Sequence, residues 1–192
     1  NIPAMTQFLG HLYYLATEGT RIKPWPCCGG NHQTLTNLLR FLKETPLKAE
    51  QIESIEHIGP SVPCTGALLR WDVGTEGLEG KFALRYNIAA AIIDGKVDLN
   101  TFTNARAEKG DLQAFMQRVT MSRNPDVLMR KPHIADGNPD AKLIIKLKNG
   151  TMYVIDFAGD PSMASRPSAY HLSLEETVTK FRNNAGFVFG PD

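Results

Sequence analysis

The first residues that could do chemistry lie in a short loop that contains prolines, cysteines and glycines. Lys23 stands at its start and His32 at its end, with Pro24 and Pro26 between them. Prolines stiffen a backbone, whereas the paired glycines of this loop would let it approach a ligand closely. The loop leads into a helix predicted to begin at Asn31, and the N-terminus of a helix attracts anions. A lysine and a histidine at such a point predict a site that binds a carboxylate or transfers a proton.

A second group opens the apolar segment of residues 80–95. Lys81 and Arg85 are four residues apart, so a helix through this segment would place both on one face of its first turns. Positive charges there oppose the helix dipole at a cost of about 0.3–1 kcal/mol each. Two such charges predict a nearby anion, to which the Tyr86 hydroxyl could donate a further hydrogen bond. The alternative is that both cations extend into water while Tyr86 packs in the core.

The remaining candidate groups favour structural roles. The proline-glycine loop itself could be a plain surface turn with a solvated lysine. Cys27 and Cys28 are adjacent and Cys64 makes the count odd, so no disulfide framework is predicted, and buried thiols are commoner than nucleophiles. No second Cys/His pair has zinc-site spacing, and no glycine-rich phosphate loop occurs. Isolated histidines, predicted to be at the surface or hydrogen-bonded, are His11, His57, His133 and His171.

Apolar spacing predicts the elements that must hold these residues. Repeats of three or four residues predict helices, and alternation of apolar and polar residues predicts strands. The predicted helices cover residues 3–17, a segment from Asn31 that Pro46 stops, residues 80–95, residues 111–118, and a segment opened by a capping box at Ser173 and Glu176. The predicted strands cover residues 53–58, 65–73 and 119–122 and both sides of an Asn149-Gly150 hairpin. Helices with antiparallel strands predict an α+β layer architecture.

The composition is that of a globular protein. The 192 residues are 42% hydrophobic and 21% charged, and the net charge of +1 gives no general attraction to nucleic acid or anionic membranes. No apolar run approaches the roughly 20 residues of a spanning helix, and no signal-peptide pattern is visible. The cysteine usage predicts a reducing, cytoplasmic compartment. Because the chain starts at Asn1 rather than methionine, we expect a piece of a longer protein.

Two strings carry a resemblance to the MmgE/PrpD family. Ile22-Lys-Pro-Trp-Pro-Cys-Cys-Gly-Gly-Asn-His32 resembles the family segment K-P-[YFW]-P-C-C-x-x-x-H. Gly80-Lys-Phe-Ala-Leu-Arg-Tyr-Asn-Ile-Ala-Ala-Ala-Ile-Ile-Asp-Gly95 is similar to A-[KR]-F-S-L-x-Y-x-x-A-x-A-x-x-x-G. A Phe-Thr pair, a hairpin and then Leu-Ser-x-Glu-Glu followed by Lys-Phe-Arg182 come in the family's order. The resemblance covers residues 22–186.

The resemblance implies the family's smaller, lid-type α+β domain, with a mostly antiparallel sheet packed by helices and the all-helical large domain missing. Residues 22–170 would form that domain. Residues 1–21 would be an N-terminal helix and linker, and residues 171–192 a helix leading back toward the missing helical domain. Without the helical domain, an apolar surface that contains Leu174, Val178 and Phe181 would be exposed.

The resemblance also implies an activity on small di- or tricarboxylates. The family includes 2-methylcitrate dehydratase, cis-aconitate decarboxylase and iminodisuccinate epimerase, works without a required cofactor or metal, and is commonly dimeric. A 2-methylcitrate dehydratase-like lyase that abstracts a proton next to a carboxylate is expected, with decarboxylase or epimerase chemistry as alternatives. A non-catalytic anion-binding or assembly module is the alternative from another class. A homodimer is the expected assembly.

Residue by residue, the resemblance implies that Lys23 and Tyr86 face the active-site cleft, with His32 as a further catalytic candidate. Lys81 and Arg85 would bind substrate. Cys28 stands where some decarboxylases have a histidine, which argues against a decarboxylase.

Overall fold

The computed structural model describes residue 10 and residues 22–59, 74–123, 141–157 and 172–190. The described helices are α1 (His32–Glu44), α2 (Gly77–Gly80), α3 (Leu84–Asp94), α4 (Asn104–Ala107), α5 (Gly110–Met116) and α6 (Leu174–Phe189). The described strands are β1 (Ile52–Gly59), β2 (Val119–Arg123), β3 (Lys142–Leu147) and β4 (Met152–Asp156). Short 3-10 turns occupy Gly29–Asn31, Ala49–Gln51 and Asn100–Phe102.

The strands form one four-stranded sheet in the order β2-β1-β3-β4. β1 pairs with β2 in parallel, and the other two pairs are antiparallel. A parallel pair needs a crossover connection, and the segment between β1 and β2 carries α2 to α5. The structure therefore confirms an α+β fold with a mostly antiparallel sheet.

The core lies between one face of the sheet and the helices. In the sheet's central row, Ile55 stands opposite Val119 on one side and Ile145 on the other, and all three are fully buried. Leu38 of α1 and Leu112 of α5 are likewise buried. Burying such side chains stabilises a fold by about 1.5–3 kcal/mol each. The rigid sheet and α1 thus support the loop that precedes α1.

The helix predicted over residues 80–95 is shorter than expected. α3 begins at Leu84, and its N-cap, Ala83, has extended backbone angles (φ −88°, ψ 111°). The buried Asn87 amide donates to the carbonyls of Gly80 and Ala83, both at 2.8 Å, and so holds the break between α2 and α3. The prediction that Lys81 shares a helix face with Arg85 is therefore wrong, because Lys81 precedes α3. The prediction that α3 is buried nearly all round is confirmed.

Several local predictions are confirmed. β1, α5 and β2 lie where the sequence placed them, within two residues at each end. In the predicted hairpin, Gly150 takes a positive φ of 88°. Ser173 and Glu176 form both hydrogen bonds of the predicted capping box.

Other predictions fall outside the described residues. These are the strand over residues 65–73, Cys64, His11, His133 and His171, and most of the helix over residues 3–17. The one described residue of that helix, Gly10, has a φ of 81°, so a continuous helix through it is wrong. Within the described ranges, no helix has the length and apolar character that crossing a bilayer requires.

His57 differs from its prediction. Its side chain is 5% exposed in β1, and within the described part of the chain its Nδ1 has no hydrogen-bond partner. The His57 ring lies 6.2 Å from that of Phe157. It is therefore a buried histidine, neither at the surface nor fully hydrogen-bonded.

Candidate functional site

The loop before α1 is fixed to the segment between α2 and α3. The Cys28 amide donates to the Lys81 carbonyl at 2.9 Å, and the Asn31 side chain donates to the same oxygen at 3.3 Å. Asn31 does stand at the N-cap of α1, but its side chain makes this bridge and no cap hydrogen bond. Two segments that are about 50 residues apart in sequence are thereby joined at one point.

Lys23 lies over the same loop. Its side chain is exposed, and its Nζ donates to the Cys27 carbonyl at 3.1 Å. An ammonium group has three donors, so this bond leaves two for a ligand. Lys81 is half-buried on the neighbouring segment, and its charge acts on the same cysteine. The structure thus brings together two lysines that the sequence placed in separate motifs.

His32 is the first residue of α1 and is 3% exposed. Its ring meets that of Trp25 edge-on, with centroids 5.5 Å apart. Burial, helped by the charge of Lys23, lowers the His32 pKa to about 4, although hydrogen bonds to the backbone of Cys27 and Trp25 act in the opposite direction. The imidazole is therefore neutral at pH 7. A neutral ring adds no charge to a site and can accept a proton.

The two cysteines have different surroundings. Cys27 is buried, and burial together with the neighbouring Cys28 raises its pKa to about 12, although nearby lysines oppose this. It is therefore a neutral thiol and a poor nucleophile at pH 7. Cys28 is half-buried at the start of the Gly29–Asn31 turn. In the described part of the chain, a Cβ added at Gly29 would meet no atom within 4 Å, so the space above this glycine is open.

Tyr86 lies inside the core of the domain. Its side chain is 0% exposed, its hydroxyl donates to the Thr101 carbonyl, and its ring stacks on Phe102 with centroids 5.9 Å apart. A Cβ at Gly74 or Gly80 would come within 2.8 Å of this ring. Burial raises the Tyr86 pKa to about 12.

The charges that act on the Tyr86 hydroxyl are those of Arg106 and Asp94. They belong to a different group from the lysines around Cys27. In this conformation the Tyr86 hydroxyl is therefore not brought to the Lys23 loop. Arg85, the second residue of α3, is half-buried and stands in the first turn, as predicted.

Comparison with known families gives a match to the MmgE/PrpD C-terminal domain over residues 25–192. The chain belongs to this family. A search of curated proteins found no match. The matched range of this MmgE/PrpD domain includes Cys28, His32, Lys81, Arg85 and Tyr86, whereas Lys23 lies two residues before it.

One MmgE/PrpD residue near the loop was missed by the sequence reasoning. Lys180 on α6 is half-buried, and its charge acts on both Cys27 and His32. The only sequence signal was its place in the Lys-Phe-Arg182 string, which gave no reason to associate it with Lys23. Among the described residues, no three His, Cys, Asp or Glu side chains form a group that could hold a metal ion.

Proposed function

We propose that this MmgE/PrpD domain forms the carboxylate-binding wall of an active site that acts on small polycarboxylic acids. The observation that supports this most is the convergence of the Lys23 and Lys81 segments on one loop beside a neutral histidine. Two ammonium groups can bind carboxylates. His32 is neutral at pH 7, so it adds no third positive charge beside the two lysines. No described residue lies within 4 Å of a Cβ added at Gly29, which leaves room for a ligand beside the described part of the loop.

The proposed reaction begins with removal of a proton from the carbon next to a substrate carboxylate. The electron pair of that C–H bond moves onto the carboxylate, and the developing negative charge is stabilised by the lysine that binds it. Loss of hydroxide from the adjacent carbon then completes a dehydration, which is the 2-methylcitrate dehydratase-like outcome. In the decarboxylase alternative, the C–C bond to a carboxylate breaks instead, carbon dioxide leaves, and the electron pair of that bond takes up a proton on the substrate carbon. In the epimerase alternative, the abstracted proton returns to the opposite face.

The proposed roles differ in how directly each residue touches substrate. Lys23 binds a carboxylate or assists proton transfer, and Lys81 and Cys28 line the same point. His32 is a candidate to hold the transferred proton. Tyr86 reaches substrate only if its bond to the Thr101 carbonyl is exchanged for one to the ligand.

The proposed partner of this domain is the helical domain of the same protein. The matching family model, which is that of a C-terminal domain, supports this proposal. The apolar face of α6 supports this. Leu174 is 82% and Phe181 72% exposed, and Val178 is exposed beside them. A groove of about 1550 Å³ lies between α6 and the surface that includes Trp25 and Leu39. Exposed apolar surface of this kind marks an interface.

A homodimer of the whole enzyme is part of the same proposal.

The experiment that tests the function is a Lys23→Met exchange in the full-length enzyme. Methionine keeps most of the side-chain length and removes the charge. We expect kcat/KM for the best of 2-methylcitrate, cis-aconitate and iminodisuccinate to fall by roughly 100-fold or more. The control is Lys148→Met in the β3–β4 turn, where the side chain is exposed and distant in sequence from the loop. Equal rates for the two variants would remove Lys23 from the site.

A second candidate is an anion-binding module without catalytic activity. It is favoured by the fact that the charges of Lys23, Lys81 and Lys180 all act on Cys27, so this domain supplies three cations near one loop. Calorimetry with the 192-residue chain tests it. Micromolar binding of a polycarboxylate without any other domain, together with no turnover in the longer protein, would support the module.

A further inference from the structure

We propose that Lys180 on α6 is a substrate-binding residue that contacts a carboxylate different from the one held by Lys23. This inference rests on the proposed function, because it assigns a new residue to the same site. Through Lys180, α6 would help to select which carboxylic acid binds, in addition to carrying an exposed apolar face.

A cleft places Lys180 beside the loop. The cleft has a volume of about 270 Å³, with Pro24 and Pro26 on one wall and the α6 residues Thr179, Lys180 and Asn183 on the other. Pockets for drug-sized ligands usually measure about 300–1,000 Å³. A space of this size is large enough for a small acid.

Lys180 is the one cation among the described residues that line this cleft, so an anion bound there would lie next to it. The charges of Lys23 and Lys180 act on the same two side chains: they oppose the rise that burial causes in the Cys27 pKa, and they add to the fall that burial causes in the His32 pKa. Lys180 lines the cleft together with Pro24 and Pro26 of the loop. Within the described ranges, no hydrogen bond or ion pair joins it to another residue, although it is half-buried. An unpaired, partly desolvated cation gains from a bound carboxylate.

Acidic residues also line the cleft, but two of them already have partners. Glu176 accepts a hydrogen bond from the Ser173 amide at 2.7 Å as part of the capping box. Asp98 pairs with Lys96 at 2.7 Å. Glu175 is exposed, so water and salt screen its charge. Asp98 is thus neutralised by its ion pair, and Lys180 is the one cation of the described lining that could bind a carboxylate directly.

Residue-resolved acetylation of the chain tests the proposal. The probe is tricarballylate, an unreactive tricarboxylate, and succinate is the dicarboxylate for comparison. Lysine acetylation rates are measured by mass spectrometry with and without tricarballylate at ten times its dissociation constant. Occupancy at that concentration should slow acetylation of a contacting lysine by about tenfold. We expect protection at Lys23, Lys81 and Lys180 and an unchanged rate at Lys148.

A Lys180→Met variant then separates specificity from general charge. We expect it to bind tricarballylate about tenfold more weakly, since one charge-assisted contact is lost, while succinate binding stays within about twofold. Lys148→Met should match the wild type for both acids. A circular dichroism spectrum equal to that of the wild type checks that α6 is intact.

The outcomes distinguish this inference from the function on which it rests. Protection of Lys23 and Lys81 without Lys180, or unchanged affinity in Lys180→Met, would overturn the role of Lys180 alone. Protection of no lysine would overturn the carboxylate site as a whole. Equal weakening of both acids in Lys180→Met would also count against the inference, because it would show a general charge effect.

Discussion

Lowering the pH from 7 to 5 should destabilise this domain through two buried histidines. Burial is the largest cause that lowers the pKa of His32 and of His57 to about 4, from an ordinary value of 6.5. The unfolded chain therefore takes up protons near pH 6.5, whereas the folded chain resists them until about pH 4. Because the folded pKa is depressed, the stability is fully present above pH 6.5 and is lost as the pH falls toward 4.

The size of the effect follows from these values. A difference between 6.5 and about 4 corresponds to roughly 3 kcal/mol per histidine once both states are protonated. At pH 5 the unfolded histidine is almost fully protonated and the folded one only about one-tenth, which gives about 2 kcal/mol each. His32 and His57 together should cost about 4 kcal/mol, a large part of the roughly 5–15 kcal/mol that holds a domain together.

The assay is urea unfolding of the chain at pH 7, 6 and 5, followed by tryptophan fluorescence and circular dichroism. His57→Phe removes one titrating group, so its loss of stability between pH 7 and 5 should be about 2 kcal/mol smaller than that of the wild type. The change with pH is compared, so any constant cost of the larger ring cancels. Lys148→Met is the control and should follow the wild type. The same pH dependence in His57→Phe and the wild type would refute the reasoning, as would a His57 NMR titration near pH 6.5.

Three further outcomes are expected. Gly77→Ala should lower the free energy of unfolding by about 3 kcal/mol or more, because its Cβ would lie 2.0 Å from the Phe102 carbonyl oxygen; a loss under 1 kcal/mol in urea unfolding would contradict this packing. Tyr86→Phe should cost about 1–3 kcal/mol by the same assay, since the Thr101 carbonyl loses a buried donor. Gly29→Ala should leave stability within about 0.5 kcal/mol but weaken tricarballylate binding, and unaltered affinity would show that no ligand approaches this backbone.

The candidate site was only partly visible in the sequence. Lys23, His32 and Cys28 were found because prolines and glycines mark their loop as rigid and close to a helix start. Lys81 was found through its spacing from Arg85, although the helix that this spacing assumed does not include it. Lys180 was not found, because it reaches the loop from α6, about 150 positions later in the chain.

The sequence by itself determined the features that depend on a few neighbouring residues. The Asn149-Gly150 turn, the Ser173–Glu176 capping box and the buried character of α3 follow from local backbone preferences and apolar spacing. Only the tertiary structure decided which distant groups meet. The Cys28 amide and the Asn31 side chain both bind the Lys81 carbonyl, about 50 positions later, and the Tyr86 hydroxyl is held by Thr101 in the core. Hydrogen bonds and charges act over a few ångströms of space, so their partners are set by how the chain packs and not by its order.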